Sequence, residues 1–402
     1  MPPSDRARSI VVISDFRDGW PPQSLGLTAA DARDDWLTGR RGPAPHDPED
    51  LTEARGALEV RGGYLERLPL AAVKHGLVAR AEIWHFWRPD TPPSFYRESP
   101  VLARRAFHLD GEDAPFRSAD MLGFIHAFGA PDILCVWGLG VDEAILEACS
   151  ESFKIYNSID APALRMPDHA ARHFDLVLTG AEWQSREVEA RLPGMRTAIM
   201  PIGPEFADPL TFHLLPTVEK EWDVIYVAAA QPYKRHDILF DALEKRPGTS
   251  ALCVFGYGEM DVALREEATR RGLDVTFVGP PGVPFGEVNA LMNRARVGLV
   301  CGVDDGAPAI LTEYMLAGLP VLANGALSCG LQFITPETGL AVSAERFHEG
   351  IDALLARAPA MDPRGAVLKR WTWDHTIARL AALMGETRSA GHAGRSPAVT
   401  EA

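Results

Sequence analysis

The segment Asp305-Gly-Ala-Pro-Ala-Ile-Leu-Thr-Glu313 sets two carboxylates eight positions apart, with a glycine, a proline and the start of an apolar run between them. Val297-Gly-Leu-Val-Cys301 before it reads as a strand. Gly318 and Pro320-Val-Leu-Ala323 after it read as a helix stop and a second strand. The acids then sit on the strand-to-helix turn and the helix of a βαβ unit, where α/β sheets bind ligands. Pro308 suits a first helical position and Gly318 the residue past the last. The turn Gly306, Ala307, Pro308, Ala309 offers backbone N–H groups and the positive end of the helix dipole, which suit an anion. On the helix, Ile310, Leu311, Tyr314 and Met315 share one face and Glu313 falls off its centre. A carboxylate there can accept hydrogen bonds from the hydroxyls of a ribose. The chemistry this spacing allows is a phosphate at the turn and a sugar beside the helix; the plainer alternative is a capping Asp and a solvated Glu.

A second group stands at Gln231-Pro-Tyr-Lys-Arg-His236, after another apolar strand. Lys234, Arg235 and His236 crowd the start of the next helix, where cations oppose the helix dipole at about 0.3–1 kcal/mol each. A diphosphate bound among them reverses the sign of that effect. A solvated basic turn is the alternative.

The elements that must position these groups alternate regularly in the second half. Asp223 to Ala229, Ala251 to Phe255 and Val275 to Val278 read as strands; His236 to Lys245, Met260 to Arg271 and Glu287 to Ala295 read as helices. Strands alternating with helices predict a doubly wound parallel sheet. The strands are almost wholly apolar, as strands covered on both faces are. The first half has the same grammar less regularly: strands at Ser9 to Ser14, Glu82 to Trp87, Asp132 to Val136, Phe174 to Thr179 and Thr197 to Pro201, with helices at Tyr64 to His75 and Glu182 to Arg191. Residues 17 to 60 read as an insertion or long loop. The expected division is a first Rossmann-like domain over 1–203 and a linker over 204–222 rich in proline. A second Rossmann-like domain covers 223–370, a last helix 371–385, and a disordered tail 386–402.

The pattern Asp-x7-Glu followed by Tyr314-Met-Leu-Ala-Gly-Leu-Pro-Val321 resembles the Glu-x7-Glu signature of retaining, nucleotide-sugar-dependent glycosyltransferases of the GT-B fold, family 4. Here the first acid is Asp. Pro232-Tyr-Lys234 resembles the same family's Pro-x-Lys turn. The resemblance spans about residues 170 to 385 and reaches the first half only by layout. It implies two Rossmann-like domains facing across a cleft, and transfer of a hexose from a nucleotide diphosphate sugar to an acceptor hydroxyl. By it Lys234 contacts the donor diphosphate with the turn Gly306 to Ala309, Glu313 holds the ribose, Asp305 touches the donor sugar, and the last helix returns to the first domain. It also implies no cofactor and no metal, since such enzymes use helix dipoles and cationic side chains.

Two positions depart from the pattern. The family's Gly-Arg before the Lys is replaced by Ala228 and Ala229, so either Arg235 or a residue from elsewhere compensates, or donor activation is weak. The family's His near the reacting sugar is replaced by Trp137; His85, in Trp84-His-Phe-Trp87, is a substitute candidate on the acceptor side, set against a strand histidine satisfied in the core. Trp84, Trp87 and Trp137 can stack on a sugar or pack the core and rim, and the Gly62-Gly63 turn is a weaker candidate for backbone approach to a ligand. Two alternatives share these residues: a nucleotide-sugar epimerase on the same fold, and a non-catalytic nucleotide-sugar binding protein, which the residues at Ala229 and Trp137 favour.

Composition narrows the partners. With 402 residues, 46% hydrophobic and 24% charged, the chain can bury two cores of ordinary size. A net charge of −15 argues against nucleic acid bound through phosphate contacts. Cys135, Cys149, Cys253, Cys301 and Cys329 are odd in number, lack metal-like spacing and sit in apolar runs, which predicts buried thiols in a reducing cytoplasm. No apolar run approaches the roughly 18 residues of a membrane span, and peripheral contact with a membrane surface is compatible with the sequence.

Overall fold

The computed structural model describes residues 8–14, 55–87, 94–160, 162–215 and 217–393. Of the expected insertion, residues 17–54 lie outside the described residues. Two sheets carry the architecture. The first contains β1 (Ser9–Ile13), β2 (Arg80–Trp87), β3 (Ser94–Arg97), β4 (Leu102–His108), β5 (Ile133–Trp137), β6 (Phe153–Asn157), β7 (Leu176–Thr179) and β8 (Thr197–Ile199), in the order β3-β4-β2-β1-β5-β6-β7-β8. Only the edge pair β3–β4 is antiparallel. Its helices are α1 (Tyr64–His75), α2 (Ala119–Phe128), α3 (Glu143–Ala148), α4 (Asp168–Ala171) and α5 (Glu182–Arg191).

The second sheet contains β9 (Trp222–Val227), β10 (Ala251–Val254), β11 (Val275–Val278), β12 (Ala295–Val300), β13 (Val321–Asn324) and β14 (Gly339–Val342), all parallel, in the order β11-β10-β9-β12-β13-β14. Its helices are α6 (His236–Glu244), α7 (Asp261–Arg270), α8 (Phe285–Asn293), α9 (Ile310–Leu316), α10 (Phe347–Arg357) and α11 (Pro363–Arg370). Each sheet has an apolar cluster on each face, as a doubly wound sheet requires. In both, strand order reverses at one seam: β1 against β5, and β9 against β12. Ligands of such sheets bind outside the carboxyl ends of the strands at that seam.

The apolar reading missed β3, β4, β6 and β14. In β4 and β6, charged residues interrupt the apolar run. Arg104, Arg105 and Lys154 are nevertheless buried, each with partners. The Lys154 ammonium donates to the carbonyls of Cys149 and Ser152, at 3.3 and 3.2 Å. Arg105 binds Glu82 at 2.6 Å and lies between the Phe95 and Phe124 rings, 4.4 Å from each.

The last helix, α12 (Trp373–Ala393), crosses to the first domain. Ile377, Leu380 and Met384 join the core beside α1 and β1, the Thr376 hydroxyl donates to the Glu205 carbonyl at 2.5 Å, and Arg379 binds the Glu205 carboxylate at 3.0 Å. It continues eight residues past 385, where a disordered tail was expected. Glu386, Arg388, Ala390 and Ala393 are adequate helix formers, and propagation costs far less than nucleation.

Candidate functional site

Lys234 and Asp305 leave the carboxyl ends of β9 and β12, on either side of the second sheet's seam. Lys234 closes a single 3₁₀ turn, Pro232–Lys234, held by the Tyr226 hydroxyl donating to the Lys234 carbonyl at 2.5 Å. Its ammonium forms an ion pair with the Asp305 carboxylate. Burial opposes the charge on Lys234, but Asp305 and Tyr233 outweigh it and hold the ammonium above its ordinary pKa. The Tyr233 ring lies 4.8 Å from it. The pair keeps 19% and 15% side-chain exposure, so a ligand can reach both partners.

The rest of the basic turn does not converge on this pair. Arg235 takes a left-handed conformation (φ 53°, ψ 51°) and its guanidinium binds Asp237 at 2.7 Å on the surface. The geometry thus gives Arg235 a neighbour on its own helix instead of the expected place beside Lys234. His236 is buried between the Tyr226 and Phe255 rings, with centroids at 4.8 and 5.2 Å. Burial pushes its pKa down to about 4, so it is neutral at pH 7. Of the three expected cations, Lys234 is the one that faces Asp305.

The turn Gly306 to Ala309 is where the two domains meet. Gly306 is pressed against the first domain: a Cβ there would lie 2.5 Å from the Ile159 carbonyl and 2.7 Å from the Asp160 nitrogen. Opposite, a Cβ on Gly180 would lie 2.0 Å from the Gly306 carbonyl. Pro308 stands one residue before the Ala309 cap of α9. The Tyr64 hydroxyl, from the first turn of α1, donates to the Ala307 carbonyl at 3.0 Å and accepts from the Ala309 N–H at 3.2 Å. The N–H expected to be open to an anion is therefore satisfied by a phenol in this state. Burial, then the charges of Asp305 and Glu313, raise the Tyr64 pKa, so that oxygen is neutral.

Glu313 is likewise engaged across the seam. Arg67 of α1 binds it at 2.5 Å, with only 3% and 10% of the two side chains exposed. Arg67 also donates to the Gly62 and Gly203 carbonyls, each at 3.0 Å. One Glu313 oxygen is thus held by a guanidinium where an open ribose site was expected. Sequence reasoning missed Arg67 and Tyr64; the available signal was a charged residue inside the apolar stretch of α1, where every residue from Arg67 to Val73 is buried.

A cleft of about 320 Å³ opens between the domains, lined by Gly63, Tyr64, Leu65, Glu66, Trp137, Ile159, Asp305 and Ala307. It brings together Asp305 from the second domain and Trp137 from the first, and includes Gly63 of the predicted glycine turn. His85 is elsewhere, on β2 beside Arg104 at 3.4 Å. Burial and then Arg104 push its pKa down to about 3, so it is neutral, and it does not line this cleft. Trp84 packs in the core, donating to Glu82 at 2.8 Å. Among the described residues, potential metal ligands converge at Glu143, Glu147 and His173, none of which lines this cleft.

Residues 212–363 match the family model for glycosyl transferases group 1. The second domain is a group 1 glycosyl transferase domain. Solved structures resemble the whole layout. Sucrose-phosphate synthase from Thermosynechococcus elongatus superposes with a TM-score of 0.61 at 16% identity, covering 95% of this chain and 100% of that one. The Anabaena protein HepE, in complex with UDP and glucose, gives 0.59 at 13% identity over 94% of this chain and 100% of that one. The pneumococcal O-GlcNAc transferase GtfA, in complex with UDP and GlcNAc, gives 0.53 at 13% identity over 73% and 69%. The fold is GT-B: two Rossmann-like domains facing across a cleft. A search of curated proteins by sequence found no match.

Proposed function

We propose that this group 1 glycosyltransferase moves a hexose, with retention of anomeric configuration, from a nucleotide diphosphate sugar to an acceptor hydroxyl in the cytoplasm. The observation that carries this reading is the Lys234–Asp305 pair at the seam of the second sheet, facing the cleft. A donor diphosphate takes over the Lys234 ammonium, and Asp305, released, turns to the hydroxyls of the donor sugar. As the bond from the anomeric carbon to the diphosphate oxygen breaks, Lys234 stabilises the negative charge that grows there. The acceptor oxygen bonds to the same carbon and its proton leaves to the departing diphosphate. Positioning and electrostatic stabilisation lower the barrier, and the reading needs no cofactor and no metal. In it Glu313 holds the ribose through the oxygen that Arg67 leaves free.

A second reading, a nucleotide-sugar binding protein without transfer, is favoured by one observation: Arg235, the residue expected to stand in for the family Arg missing at Ala229, is bound to Asp237. Thermal shifts with UDP, GDP, ADP and dTDP on wild type and Glu313→Ala test the site. A rise with one nucleotide, reduced in the variant, supports a donor site; no rise with any at millimolar concentration rejects it. Transfer to a glycan or lipid-linked acceptor then separates enzyme from binder, and conversion of donor alone would mark an epimerase.

A further inference from the structure

Trp137 ends β5 and Asn157 ends β6. The two are register partners on adjacent parallel strands, so their side chains stand on the same face of the sheet. Asn157 is 0% and Trp137 3% exposed. Three polar atoms of this pair, the Trp137 indole nitrogen and both ends of the Asn157 amide, have no hydrogen-bond partner among the described residues. The Cys135 thiol lies beside the indole, and a thiol is a weak acceptor. Buried polar groups are nearly always satisfied, and each orphan is destabilising. Three on two register partners at the carboxyl end of a Rossmann-like sheet make a built polar spot.

That spot adjoins the cleft. Trp137 lines it, as does Ile159, two residues beyond Asn157, and the Tyr64 ring stands edge-on to Trp137 at 6.1 Å. The atoms on offer are two kinds of N–H donor and one carbonyl acceptor. A phosphate, which only accepts, leaves the amide oxygen orphaned, and a cation leaves the N–H groups orphaned. Asp305 and Glu66 on the cleft walls are each paired with a cation, Lys234 and Arg104, so the choice of ligand rests on matching these hydrogen bonds. A hydroxyl both donates and accepts, and the indole ring adds an apolar face for the C–H side of a sugar ring.

We infer that Asn157 and Trp137 form a hydroxyl-binding subsite for a pyranose, beside the cleft that Asp305 also lines. This rests on the transferase reading and extends it to the first domain. Both residues are buried in the present state, so the subsite opens as the Tyr64 and Arg67 contacts between the domains relax. The pyranose belongs either to the donor or to the acceptor, and one experiment separates them.

Calorimetric titrations compare wild type, Asn157→Leu and Trp137→Phe. The ligands are the nucleoside diphosphate chosen by the thermal screen, its glucose, galactose and N-acetylglucosamine conjugates, and methyl α-glucopyranoside added with the diphosphate. At least a tenfold loss for a sugar-bearing ligand in Asn157→Leu, with diphosphate affinity within twofold, supports the subsite. Loss on the conjugate assigns it to the donor hexose, and loss on the methyl glucoside to the acceptor. Unchanged sugar binding in both variants, or no sugar adding to diphosphate binding in wild type, overturns it. A wild type that binds no diphosphate instead defeats the transferase reading. Thermal unfolding without any ligand still decides: Asn157→Leu is expected to hold or raise Tm, because it removes an orphaned amide, and a fall of several degrees reveals a hidden polar partner and overturns the subsite.

Discussion

Lys234–Asp305 and Arg67–Glu313 each join a cation to one acid of the same short segment, yet their surroundings are opposite. The first links two strand ends of one domain and keeps 19% and 15% exposure; the second links the two domains and keeps 3% and 10%. An ion pair that water reaches contributes little to stability and can exchange partners with a ligand. A buried pair is hard to break, because the partner left behind is an uncompensated charge. On the proposed reading the two acids therefore have different work: Asp305 exchanges with substrate, and Glu313 holds the domains together as well as any ribose.

The largest effect that tests this contrast is on stability. Arg67→Ala strands the Glu313 carboxylate and is expected to cost about 3–5 kcal/mol. At about 1–2 °C per kcal/mol for a chain of 402 residues, Tm falls by about 3–10 °C. Adding Glu313→Gln to Arg67→Ala should restore part of it. If Arg67→Ala unfolds at the wild-type temperature, the seam is not held by this pair.

Next in size is acid sensitivity, which sets one buried histidine in each domain side by side. His236 and His85 have pKa values pushed down to about 4 and about 3. Below about 6.5 the unfolded chain takes up protons that the folded one refuses, so stability falls as pH drops from there toward the folded values, by about 1.4 kcal/mol per pH unit for each histidine. Above that window neither contributes. His236→Phe, in a cage of two aromatic rings, should flatten the decline in Tm between pH 6.5 and 4 and leave the first domain's share from His85. An identical decline in wild type and variant would show that His236 titrates normally.

The contrast also marks what the sequence could reveal. The second domain was more legible, Gly339–Val342 apart, because most of its strands are almost wholly apolar and because Lys234, Asp305 and Glu313 stand on or just after turns whose chemistry is local. The first domain was harder, since its strands carry charged residues: Arg104 and Arg105 are buried against partners 38 and 23 residues away, Glu66 and Glu82, and Lys154 against nearby backbone carbonyls. Arg67 and Tyr64 were invisible for the same reason: their partners, Glu313 and Ala309, lie 246 and 245 residues away. Asn157 gave no signal at all, because its interest comes from what it fails to touch.

Lys234→Ala probes the exchangeable pair. Turnover should fall at least about tenfold, equal to about 1.4 kcal/mol of transition-state stabilisation. Its cost to stability should be smaller than that of Arg67→Ala, since Asp305 regains water. Unchanged turnover in an assay with an accepted donor removes Lys234 from the mechanism.

Tyr64→Phe makes the smallest change, and it bears on both halves of the comparison. It deletes one oxygen that bonds Ala307 and Ala309 while keeping the ring against Trp137. The lost bonds are worth about 0.5–1.5 kcal/mol each, so the two domains should part more easily. At the same time the Ala309 N–H is left for a phosphate oxygen. Tm should fall by a few degrees while the nucleoside diphosphate binds more tightly by calorimetry. If affinity falls along with Tm, the hydroxyl serves the bound state too, and Tyr64 belongs with Lys234 among the groups that hold substrate instead of with Arg67 among those that hold the seam.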